Sequence, residues 1–459
     1  MAFKVIIVGG GPAGLALAQS LRMADIDYLV LEKRETLIDP GGATITLLPN
    51  GVRLMHQFGL WDKAMSMSTV LSQLCHRGAR GEHLRTLDIF ASLRENHGYP
   101  VAMFSRPNVL RVLSSNIPEP EKHLRTSATV TSVTMSGDGV KVNLADGTTE
   151  SGSIVVGADG THSKLRRALV GDNPSALGGQ AGFSTHKFKI LYGRSVTIEK
   201  MRGTMGMFYT RHGSGWFMQY ACEEDMAYWG LYERQDSDRA AGYGSFTQQD
   251  VEDMLAKYRD EVYNADLGVT VGEIFDSRVF AWVDWMDEGC SEKWYHDRAV
   301  FIGDASAKPN PSTAEGGNAA IESAAALANE IHAVLKKNPS PTLAELQSGF
   351  EKYQSYRRVK MEHLVVEARG FANMESWSSV THRFLWQLMG PLLLWRPRLI
   401  SDLVAGPWTR RSAKLDYVEF DEKRGRLPFI DPRNSARPEV GFFVGLCCFV
   451  AALFGWRPR

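Results

Sequence analysis

The sequence is short of the features that mark several large classes of protein. It has five cysteines, Cys75, Cys222, Cys290, Cys447 and Cys448, an odd and scattered set without a C-x-x-C pair. That pattern argues against a disulfide framework and a zinc site, and suits a reducing, cytosol-facing compartment. An excess of either charge is missing too. Lys plus Arg equals Asp plus Glu at 52 each, so nothing draws the chain to nucleic acid or another polyanion. His56, His76, His83 and His97 lack metal-ligand spacing. A strand expected from Phe3 leaves no signal peptide ahead of it. With 44% hydrophobic and 23% charged residues among 459, the composition is that of an ordinary globular protein with two or three core-bearing units.

Long hydrophobic runs are scarce, with one exception. Val440 to Trp456 is uncharged and apolar, closed by Arg457-Pro458-Arg459. A helix of that length spans roughly 25 Å, slightly short of a bilayer core of about 30 Å. The expectation is a membrane-anchoring or interfacial helix, with Trp456 and the arginines at the interface. A helix packed on the protein and a dimer contact are the alternatives.

What is present begins at once. Residues 3–8 form a β-branched apolar run of the kind a buried parallel strand carries. Gly9-Gly10-Gly11-Pro12-Ala13-Gly14 follows, then a helical stretch from Leu15 to Met23, then a second strand over 28–31 ending at Glu32. This is a βαβ unit carrying G-x-G-x-x-G. Gly9 permits the tight turn, Gly11 lets the backbone approach a pyrophosphate, and Gly14 lets helix and strand pack closely. The helix N-terminus offers free N–H groups to the phosphates. Glu32 is placed to accept hydrogen bonds from adenosine ribose hydroxyls and disfavours a 2′-phosphate. These residues alone leave FAD and NAD open.

Two further motifs decide between them. Gly157-Ala158-Asp159-Gly160 follows a buried strand at 153–156. Gly303-Asp304-Ala305 follows another at 299–302, and Gly316-Gly317-Asn318 opens the next helix. Asp304 is placed to bind the hydroxyls of a ribityl chain. The helix start at Gly317 points its positive end at a flavin ring, whose reduced form is anionic near N1 and O2.

In this order the motifs resemble the class A flavoprotein monooxygenases, the para-hydroxybenzoate hydroxylase type, over about residues 3–370. Gly42-Ala43-Thr44, Leu48-Pro49-Asn50-Gly51 and Ser105-Arg106-Pro107-x-x-Leu110 are most similar to fungal members that epoxidise or hydroxylate prenylated and terpenoid intermediates. The resemblance implies an α/β fold: a Rossmann-like FAD-binding domain with an inserted mixed β-sheet substrate domain and C-terminal helices. It implies that Arg106 contacts the FAD, that Thr46 lies beside the flavin where many relatives carry glycine, and that NAD(P)H binds transiently. In similar enzymes an Arg and a Tyr of the sheet face the substrate. Arg194 and Tyr228 match them here, with Tyr232 and Tyr220 as rivals. The chain departs from the family at Ala307, where relatives carry His, and at Ala314, where they carry Gly.

The expected organisation is an FAD-binding domain over 1–174 and 286–376, the latter including helices near 317–336 and 341–376. An aromatic-rich sheet domain with a helix near 248–264 occupies 175–285. A tail rich in Pro, Arg and Trp over 377–439 precedes the apolar run 440–456. The expected function is an FAD-dependent monooxygenase that uses NAD(P)H and O2 to epoxidise or hydroxylate a lipophilic secondary metabolite at the cytosolic face of a membrane. A phenolic hydroxylase, a flavin dehydrogenase without oxygen insertion and a non-catalytic flavin-binding protein are the alternatives.

Overall fold

The computed structural model describes residues 2–434 except 39–40, 171–187, 205, 214, 224, 236–245, 381, 383, 385–400 and 403–405. Its organising element is a six-stranded sheet. The strand Lys4–Val8 pairs in parallel with Asp27–Leu31 on one side and Ile154–Gly157 on the other. Ile154–Gly157 pairs in turn, also in parallel, with Ala299–Phe301. Both faces are covered, which is why these strands read as continuous apolar runs. Val5, Ile7, Val156 and Val300 pack under the helices Pro12–Met23 and Glu315–Lys337. Ile6, Val8, Val155 and Phe301 pack against a three-stranded antiparallel meander over 130–152.

The register places Val8, Gly157 and Phe301 in one row. The three segments that follow these strands therefore issue side by side at the carboxyl edge of the sheet, where an open α/β sheet binds its ligands. The motifs near residues 10, 159 and 304 converge there.

A second, seven-stranded sheet stands over this edge. Its order is Arg278–Trp285, Phe188–Val196, Met226–Arg234, Trp216–Cys222, Phe208–Gly213, Leu74–Arg77 and His83–Leu87. The last two strands come from outside 175–285, and their short, polar sequences carry little strand signal. Side chains alternate across the sheet. Leu191, Met218, Tyr220, Trp229 and Leu231 pack on the rear face with the helices Gln248–Tyr258 and Val271–Asp276. The other face carries Tyr192, Gln219, Tyr228, Gly230, Tyr232 and Trp282 into a cleft.

The helix expected over 248–264 stops at Tyr258, and Val262–Asn264 is a short strand. The long helix is Leu343–Glu375, opened by a capping box between Thr342 and Glu345. No helix among the described residues is long and apolar enough to cross a membrane. The anchor expected at Val440–Trp456 lies outside the described residues.

Candidate functional site

The cleft between the carboxyl edge of the first sheet and the front of the second has a volume of about 820 Å³. Gly9, Gly11, Glu32, Thr46, Arg106, Asp159, Asp304 and Gly317 all line it. Gly14 does not; it lies one turn inside the first helix.

Each glycine of the first motif has its own reason. Gly9 has φ 112°, and a Cβ there meets the Ala158 carbonyl oxygen at 2.5 Å. A Cβ on Gly14 meets the Gly9 carbonyl oxygen at 2.0 Å, so the helix closes onto its own entry loop. Gly11 is different. Its backbone is extended, and a Cβ there meets nothing within 4 Å. Neither strain nor protein packing asks for glycine at this position. The space it leaves belongs to the cleft, at the uncapped end of a helix with no acid in its first turn, a setting suited to an anion.

Glu32 fastens this loop. One carboxylate oxygen accepts from the Gly10 N–H at 2.8 Å and the other from the Arg34 N–H at 3.0 Å. A carboxylate oxygen has two lone pairs, so Glu32 retains capacity for a ribose hydroxyl. Asp159 is the clearest mark of a missing partner. Its Oδ2 accepts from the Leu165 N–H at 3.1 Å, while Oδ1 is buried with no hydrogen-bond partner among the described residues. Such an orphaned acceptor costs about 1–3 kcal/mol unless a donor arrives. Burial at the cleft floor pushes the Asp304 carboxyl above the usual carboxylate range, against the pull of Lys308, Arg106 and a hydrogen bond with Thr161. An orphaned Asp159 oxygen and the Asp304 carboxyl, both lining the cleft beside an anion cradle, fit the polyol and pyrophosphate of FAD.

The helix Glu315–Lys337 starts at this cleft. A Cβ on Gly317 meets Ile45 Cγ2 at 2.6 Å, so the helix end is seated directly on the strand Thr44–Leu47. Asn318 staples the two together. Its amide nitrogen donates to the carbonyls of Thr46 and Ala314, both at 2.9 Å, and its Oδ1 accepts from the Leu48 N–H at 2.9 Å. Arg106 opens its helix behind the Ser105 cap, and its N–H donates to the Ala43 carbonyl at 3.2 Å.

On the sheet side, Arg194 lies opposite Tyr228 on one neighbouring strand and Phe280 on the other. Tyr228 lines the cleft and Arg194 does not. Burial and the nearby Glu223 push the Tyr228 phenol up, while Arg194 and a hydrogen bond with Ser105 pull it down. Of the two rivals, Tyr232 lines the cleft, whereas Tyr220 is in the rear core with its ring 5.4 Å from that of Tyr263. Ala307 is buried and pairs with Cys290 in a two-stranded ribbon.

Sequence reasoning passed over Tyr192, Gln219 and Lys308, which also line the cleft. Gln219 is a polar residue inside an aromatic strand, a signal that was available.

Residues 2–365 match the FAD binding domain family. The chain is 29% identical to the FAD-dependent monooxygenase srdH of Neurospora crassa, over 94% of this chain and 99% of that one. It is 30% identical to the FAD-dependent monooxygenase DEP2 of Fusarium langsethiae, over 94% of this chain and 83% of that one. Among solved structures it is similar to Klebsiella pneumoniae HpxO complexed with FAD and uric acid. The TM-score is 0.69 at 21% identity, covering 87% of this chain and 97% of that one.

Proposed function

The chain belongs to the FAD binding domain family and is an FAD-dependent monooxygenase; from that premise we propose that it uses NAD(P)H and O2 to add one oxygen atom to a lipophilic substrate, preferentially at an olefin of a prenylated or terpenoid metabolite. The observation that carries this reading is the wall the second sheet gives to the cleft. It is built of Tyr192, Tyr228, Tyr232, Trp282 and Trp285, and among the described residues it contributes no cation to the lining. A phenolate substrate calls for a cation on that wall; a neutral olefin does not. This favours epoxidation over the phenolic hydroxylase reading.

The residues then divide the work. Gly9, Gly11, Gly14 and Glu32 hold the adenine dinucleotide end. Asp159 and Asp304 take hydroxyls, Arg106 and Thr46 flank the ring, and the helix end at Gly317 stabilises negative charge on it. Bound FAD supplies the two-electron activation of O2. The aromatic wall keeps water from the reacting centre. Tyr228, between Ser105 and Arg194, is the group placed to hold or deliver a proton, and Arg194 positions it. The apolar run Val440–Trp456 supports an interfacial anchor on the cytosolic face, beside a lipophilic pool.

The test is turnover of the FAD-loaded protein with NADH or NADPH and prenylated substrates under labelled O2. One label atom in the product is expected. Consumption of nicotinamide without substrate-dependent O2 uptake would instead assign a flavin dehydrogenase.

A further inference from the structure

We infer that Gly230 is the specificity-determining position of the substrate wall: it leaves a notch one side chain deep that receives the hydrocarbon part of the substrate. This rests on the monooxygenase reading of the cleft given above.

The register defines the notch. Gly230 lies opposite Tyr192 on one neighbouring strand and Gln219 on the other. Tyr228 and Tyr232, two residues away on the same strand, point to the same face. All five positions line the cleft. The one without a side chain is thus at the centre of four large ones.

Backbone conformation does not account for glycine there. Gly230 is inside a strand and has no positive φ. Glycine in a strand interior is destabilising by roughly 0.5–1 kcal/mol relative to alanine. An added Cβ meets only ring edges, Tyr232 Cε2 at 3.3 Å and Tyr192 Cδ1 at 3.6 Å. The contrast is Gly193 on the adjacent strand, where a Cβ falls 1.9 Å from the Trp229 ring, so rear-face packing demands glycine. At Gly230 a few tenths of an ångström of ring movement admits a methyl group. What the glycine preserves is space on the cleft side.

The rings on the rim of the notch have partners of their own. The Tyr232 ring is stacked on Phe217 at 4.2 Å and 5°. Its hydroxyl donates to Gln219 Oε1 at 2.9 Å, and Gln219 Nε2 donates to the Ser312 carbonyl at 3.0 Å. On the other side Tyr192 is stacked on Trp282 at 4.8 Å and 24°. Each ring thus has a stacked partner, which limits how far it leans over Gly230 while leaving room for a small shift. With the Gln219 amide engaged at its oxygen and its nitrogen and the strand paired on both sides, what immediately surrounds Gly230 is mainly tyrosine ring. The occupant of that chemistry is a branched or cyclic hydrocarbon segment, and its depth of seating sets which carbon is presented to the flavin.

The experiment titrates FAD-loaded wild type, Gly230→Ala and Gly230→Leu with farnesol, reading the perturbation of flavin absorbance, with flavin content and melting temperature measured in parallel. Wild type is expected to show a saturable perturbation. Gly230→Ala is expected to bind about tenfold or more weakly, the scale of one misplaced methyl group in an apolar pocket, and Gly230→Leu not at all, with flavin content retained. Binding by both variants within about twofold of wild type overturns the inference, as does a flavin-loaded wild type that does not respond to farnesol. Should Gly230→Leu lose its flavin through misfolding, the Gly230→Ala titration decides alone. A wild type that takes up no FAD strikes at the reading of the cleft rather than at the notch.

Discussion

Asn318 and Thr46, 272 residues apart in the chain, are joined by a hydrogen bond of 2.9 Å from the Asn318 amide to the Thr46 carbonyl. Asn318 is fully buried and makes two further bonds, to Ala314 and Leu48. One side chain therefore fixes the helix end of the flavin cleft against the strand that forms its side wall. Asn318→Ala removes all three bonds and leaves buried backbone groups unpaired. A loss of about 2–4 kcal/mol in unfolding free energy is expected, with reduced flavin retention. Denaturant titration and the ratio of flavin to protein absorbance check both.

Ala314, which caps the same helix, has φ 58°. An L-residue pays roughly 1–2 kcal/mol in that left-handed region, and glycine does not. Ala314→Gly is expected to raise stability by about 0.5–1 kcal/mol, part of the relief being offset by the greater freedom of glycine in the unfolded chain. A variant less stable than wild type would show that the Ala314 methyl makes contacts worth more than the strain.

Glu32 fastens its loop, the carboxylate accepting from the Gly10 N–H at 2.8 Å, and in the proposed function it also takes a ribose hydroxyl. Glu32→Ala is expected to release FAD readily, and Glu32→Gln to retain more of it, since the amide oxygen still accepts one of the two bonds. Equilibrium dialysis of the flavin distinguishes them. Unchanged retention in Glu32→Ala sinks the adenosine assignment.

Tyr228 hydrogen-bonds to Ser105 and lies beside Arg194. If its phenol delivers a proton, Tyr228→Phe lowers kcat by roughly 100-fold or more with little change in flavin content. Arg194→Lys is expected to retain more activity than Arg194→Ala. Equal kcat in wild type and Tyr228→Phe removes Tyr228 from the chemistry and leaves it as a wall residue.

The legibility of this molecule followed the range of its interactions. The glycine motif, Asp159 and Asp304 were readable because a parallel strand, a tight turn and a helix end are specified within a few residues. Their convergence followed from the rule that parallel sheets bind at the carboxyl edge, and the row Val8, Gly157 and Phe301 realises it. The strands Leu74–Arg77 and His83–Leu87 were not readable, because their place in the second sheet depends on pairing with Phe208–Gly213 far along the chain. Tyr220 and Tyr232 show the same limit. Both are tyrosines in aromatic strands, and only the pairing register reveals that one faces the core and the other the cleft.

Glu315 supplies a pH dependence whose sign is fixed by its surroundings. It is in the first turn of the helix that starts at the cleft, and its Oε2 is buried with no partner among the described residues. Burial raises its carboxyl to about 8, with Glu322 and Glu367 pushing the same way and Lys360 and Arg357 opposing. Unfolded, a glutamate titrates near 4.3. Between these values the folded chain holds a proton that the unfolded chain has released, so stability falls as pH rises through this window and levels off above about 8. Glu315→Gln cannot titrate and lacks that slope. The difference in unfolding free energy, variant minus wild type, is therefore expected to grow in favour of Glu315→Gln from about pH 5 to pH 8 and then stay constant. Denaturant titrations across this range test it. Parallel curves for the two proteins would mean that Glu315 is ionised at neutral pH, with Lys360 and Arg357 outweighing the cost of burial.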